Sequence, residues 1–140
     1  MIENDLRLDS DGCIIRFGQG SGEISITHVA DVGLTITNSI SSDNSPMVLQ
    51  LKSEEDDIVA NEVIASIEFA AGDSDGTDGA TVAAGIHAIA EGTFAADANA
   101  TKLVFTTGVS ETAAASATAK MTLSSTGLLT IADDFLIKDG

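Results

Sequence analysis

Apolar and polar residues alternate in short runs along almost the whole chain. "EISIT" sets Ile24 and Ile26 against Glu23, Ser25 and Thr27. "GLTIT" repeats the pattern with Leu34 and Ile36, and "VIASIEF" puts Val63, Ala65, Ile67 and Phe69 on one side. A period of two, rich in Ile, Val and Thr, is the signature of a half-buried β-strand. "LRL", "IIRF", "MVLQLKS", "KLVFTT", "KMTLSS", "LLTI" and "FLIKD" read the same way. The runs are separated by "DSDG", "GQGSG", "ADVG", "DNSP", "GDSDGTDG", "ADANA" and "SSTG". Gly, Asp, Asn and Ser in such clusters make turns. Early in the chain they recur about every eight to twelve residues, the spacing of hairpins or a sandwich. The expectation is an all-β fold.

Two of these hairpins share a sentence. "MTLSSTGLLTI" (121–131) and "LRLDSDGCII" (6–15) both run apolar, any, Leu, any, Ser, any, Gly and then two apolar residues. "DVGLTI" (31–36) is a shorter instance. A repeated hairpin buries its apolar face only against a neighbour, so repetition favours stacking. The period is not constant, and the chain reads as a degenerate β-repeat. Two Ala-rich stretches complicate it, because Ala favours helix. In "TVAAGIHAIAEG" Gly85 interrupts, and Val82, Ala84, Ile86, Ala88 and Ala90 alternate, so 80–91 reads as strand. Residues 110–118 read as a small-residue loop or a short helical turn. The single proline, Pro46, marks a joint. It divides an N-terminal β-repeat module, 1–45, from a second β-rich module, 46–132, with 133–140 as the start of a further strand or repeat.

The chain has 140 residues, twenty of them Ala, five Phe and no Trp or Tyr. Large aromatics supply much of the buried area of a compact core. A single copy without them should be marginal, and part of its stability is expected from other copies of the chain. Six basic residues against twenty-two acidic ones give a net charge of −16. That sign opposes nucleic acid and anionic membrane surfaces. No run is long enough for a membrane span. The N-terminus, "MIENDLRLDSDG", is acidic where a signal peptide is basic, and no apolar h-region follows. One cysteine, Cys13, leaves no intrachain disulfide framework and no cysteine-rich zinc site.

Candidate chemistry is sparse. "GDSDGTDGA" sets Asp73, Asp75 and Asp78 among glycines, and calcium takes six to eight oxygens from such loops. Counted from Asp73, however, the twelfth position is Ala84 instead of the Glu an EF-hand needs. A solvated hairpin turn is the preferred reading and calcium the alternative. "DSDG" (9–12) is a weaker candidate, and "SEEDDI" (53–58) reads as a solvated charge run. His28 and His87 each stand without a second ligand at metal spacing along the strand. In a threefold oligomer an inward histidine becomes three, so His28, or His87, is an axial metal or anion candidate. No G-x-S-x-G, P-loop or dinucleotide fingerprint occurs. No catalytic or cofactor-binding residue is assigned.

"LDSDGCIIRFGQGSGEISITHVADVGLTITNSI" resembles segments of bacteriophage tail fibres and related virion appendages, especially those of marine phages. The stretch from "LQLKSEEDDIVANEVIASIEF" through "VAAGIHAIAEGTF" and "ATKLVFTTG" to "KMTLSSTGLLTI" resembles a second module common in the same proteins. The resemblance covers nearly the whole chain. It implies a homotrimeric, elongated β-fibre or β-helix-like assembly located in the virion and made in the host cytoplasm. It also implies partnership with other virion proteins and with a host surface glycan or receptor, and it brings no catalytic residues. A cell-surface adhesin or calcium-stabilised β-domain is the alternative reading. A polysaccharide-degrading tailspike comes last, with no feature in its favour.

Overall fold

A computed structural model describes residues 13–17, 24–70, 81–108 and 112–133. Among these the chain is all-β, with eight strands and no helix. It divides into two units, Met1–Gln50 and Leu51–Gly140.

The first unit is a three-stranded antiparallel meander of β1 (Ile14–Phe17), β2 (Ile24–Val29) and β3 (Gly33–Asn38). Its register lines up Ile15, Ile26 and Ile36 across all three strands, as the alternation predicts. The β2–β3 turn places Asp31 at φ 60° and Gly33 at φ 122°, left-handed conformations that Asp tolerates and Gly adopts without strain. Of residues 13–16 and 24–50 in this unit, none is buried.

The second unit is a five-stranded antiparallel sheet in sequence order: β4 (Val63–Ala70), β5 (Val82–Ala90), β6 (Thr101–Thr107), β7 (Met121–Leu123) and β8 (Leu129–Ile131). Val82–Ala90 of the Ala-rich stretch form strand β5, as the alternation predicts. The "MTLSSTGLLTI" hairpin is β7, a turn with Gly127 at φ 81°, and β8. The first copy of that pattern reaches the described residues only at β1. The described part of 110–118 forms turns and bends.

One strand expectation fails. "MVLQLKS" forms no strand, and Met47, Val48, Leu49 and Leu51 are all exposed. A strand needs a partner, and no neighbouring strand pairs with this run. Pro46, just before it, also lacks a backbone donor. Alternation records extended geometry but not a partner. "LRL", "DSDG" (9–12), "GQGSG", "GDSDGTDGA" and "FLIKD" lie outside the described residues.

The two faces of the five-stranded sheet differ sharply. Pairing puts Ser66 beside His87, and His87 beside Val104. On that side Gly85, His87, Ile89, Val104 and Thr106 are buried. The Ala-rich segment 112–119 straps it: the Ala113 amide donates to Val82 O at 2.7 Å, and Ala113 is fully buried. On the other side Ile67, Ile86 and Phe105 stand in one row, and Ala65, Ala88, Leu103, Leu123 and Leu129 in the next. Among the described residues of that second side only Ala90, at the end of β5, is buried.

Candidate functional site

The polar residues that the fold gathers lie under the strap. His87 is fully buried. Its Nδ1 is 2.8 Å from Ser66 Oγ and its Nε2 is 3.0 Å from Thr106 Oγ1. The Thr106 hydroxyl in turn donates to the carbonyl of Ala113. A hydroxyl has one proton to give. Thr106 gives it to Ala113, so its oxygen accepts from the imidazole Nε2–H. In the neutral ring Nδ1 then carries no hydrogen and accepts from the Ser66 hydroxyl. The proton order runs one way along the relay: Ser66 to His87 to Thr106 to Ala113. Every buried polar side-chain atom among the described residues has a partner.

Sequence placed these groups without revealing the relay. Ser66, His87 and Thr106 come from three strands and meet only because the register aligns them. Gly85 makes the room. A Cβ there would stand 2.3 Å from His87 Nε2 and 3.1 Å from Thr106 Oγ1. The imidazole thus lies over the glycine, which explains why "GIH" interrupts an Ala-rich strand. Both His87 ring nitrogens have hydrogen-bond partners within their own chain.

Chemically the relay resembles a nucleophile–base pair only in part. Ser66 donates to a basic nitrogen, but the second ring nitrogen meets a hydroxyl where a triad has a carboxylate. The ring itself is closed from solvent, while Ser66 is half-buried. The arrangement ties the strap to the sheet.

His28 is exposed at the end of β2, opposite Leu34 on the three-stranded sheet. Asp73, Asp75 and Asp78 lie outside the described residues. Among the described residues no group of three or more His, Cys, Asp or Glu is placed to hold a metal ion. Residues 54–57 of "SEEDDI" are exposed, as a solvated charge run should be. Among the described residues no helix is long and apolar enough to cross a membrane.

A second anchor joins distant parts of the second unit. Glu91, just after β5, accepts from the Ser125 amide at 2.9 Å in the β7–β8 turn. Hydrogen bonds from Ser125, first through its side chain and then its backbone, hold the Glu91 carboxyl below its usual range, with Lys102 adding a smaller pull.

The remaining feature is the open side of the five-stranded sheet. Ile67, Phe69, Leu103, Leu123, Leu129 and Ile131 are each at least 36% exposed. Leu51, Ile67, Ile86, Ala88 and Leu103 border a shallow depression there. The alternation of "VIASIEF" puts Ile67 and Phe69 on one side of their strand, but does not show that the strap covers the opposite side of the sheet. No protein-family model, curated protein or solved structure matches this chain.

Proposed function

We propose that this chain is a structural, self-associating β-module of a virion appendage, a shaft segment of a tail fibre that supports host recognition without catalysis. The observation that carries the self-association is the distribution of burial. The buried apolar residues among those described are Ile89, Ala90, Val104 and Ala113, while twenty larger ones are exposed. An apolar surplus of this kind marks an interaction surface. The appendage assignment rests on the sequence resemblance. In this reading several copies, three by that resemblance, stack into an elongated β-fibre, with acidic and Ser/Thr residues facing water. Other virion proteins and a host surface glycan or receptor are its further partners.

Light scattering after gel filtration tests the reading. The expected species is an oligomer at micromolar concentration, and negative-stain images should show rods. A cooperatively folded species of 14.2 kDa, the mass of one chain, overturns it.

A further inference from the structure

We infer that the open face of the β4–β8 sheet is the surface on which copies of this chain meet, each turning it toward their shared interior. The inference rests on the self-association just proposed and names its contact.

Three observations select this face. The first is area. Ile67, Phe69, Leu103, Leu123, Leu129 and Ile131 are 44, 56, 41, 40, 54 and 36% exposed. At about 150–200 Å² for each whole residue, they leave roughly 400–500 Å² of apolar surface open. Half-buried Ile86, Phe105 and Met121 add to it. The six alone supply at least half of the ~800 Å² per partner of a stable interface, and patches of this size on a protein surface are often functional.

The second is charge. The chain carries −16, yet no position that the register places on this face is charged. Copies that turn this face inward keep their acidic groups outside. The third is shape. Antiparallel sheets stack face to face about 10 Å apart through interdigitating apolar side chains. The row Ile67, Ile86, Phe105 beside the Ala65–Ala88 pair supplies alternating large and small residues. The opposite side is already closed by the strap.

Thiol labelling reads the face directly. In a Cys13→Ser background, Leu103→Cys places a thiol on it, and Asp97→Cys places one in an exposed turn. In the assembled protein, alkylation at position 103 should be at least tenfold slower than at 97. Equal rates in a species shown by scattering to be oligomeric overturn the inference and leave self-association standing. A wild-type protein that is monomeric by scattering overturns both. Ile67→Glu combined with Leu103→Glu should raise the dissociation constant at least tenfold. An unchanged dissociation constant overturns the face. If the double variant fails to fold, the labelling ratio still decides.

Discussion

Gly85 and His87 form a matched pair, because the imidazole occupies the space a side chain at 85 would fill. Gly85→Ala should destabilise the protein by about 1–3 kcal/mol through overpacking, read as a lower urea midpoint with an unchanged slope. Thr106→Val keeps the shape but removes the acceptor for His87 Nε2–H and the donor to Ala113. The buried N–H left without a partner should cost about 1–3 kcal/mol. Loss of amide-exchange protection at Ala113 in that variant would show that the hydroxyl holds the strap. Glu91 gives a pH signature of definite sign. Its carboxyl is depressed in the folded protein, so its contribution is present above the ordinary carboxylate value. It is lost as pH falls through the folded value. Exchange of the Ser125 amide should therefore quicken on acidification below about pH 4 relative to the intrinsic rate. Glu91→Gln should flatten that dependence.

At the scale of elements, the strands were largely legible and their partners were not. Alternation located β2, β3, β4 and β5, because a period of two is imposed by the pleat itself. It misread 47–53, because the same alternation fits an extended segment with no ladder. It also could not tell which side of β5 would be covered. Val82, Ala84, Ile86 and Ala88 are the apolar register, yet the buried register holds Gly85, His87 and Ile89. The strap decided that, and its small residues carry no period. The turns were better announced. Gly127 at φ 81° sits in the "SSTG" signal, where a side chain is strained. Gly127→Ala should cost about 1 kcal/mol and loosen the β7–β8 hairpin, which hydrogen exchange across 121–131 would localise. Unchanged protection there would mean that the turn does not depend on glycine.

For the whole molecule, electrostatics and apolar surface act against each other. Every added copy brings another −16, so screening should tighten association. Raising salt from about 20 to 200 mM, over which the Debye length falls from roughly 20 to 7 Å, should increase the oligomeric fraction at fixed protein concentration. A decrease would show that attractive charge contacts dominate. Excess chelator should leave the thermal unfolding midpoint unchanged if Asp73, Asp75 and Asp78 only make a turn. A large downward shift would identify a bound divalent ion. The sheet order carries a consequence for how an assembly forms. Within each sheet the described strands pair in sequence order, so each meander closes through short-range contacts that form quickly. Hairpins zip before chains collide. Refolding should then show a fast phase whose rate ignores protein concentration, followed by a slower, second-order phase. An assembly formed this way would be built from docked subunits instead of braided ones, and dilution would release chains without unwinding them.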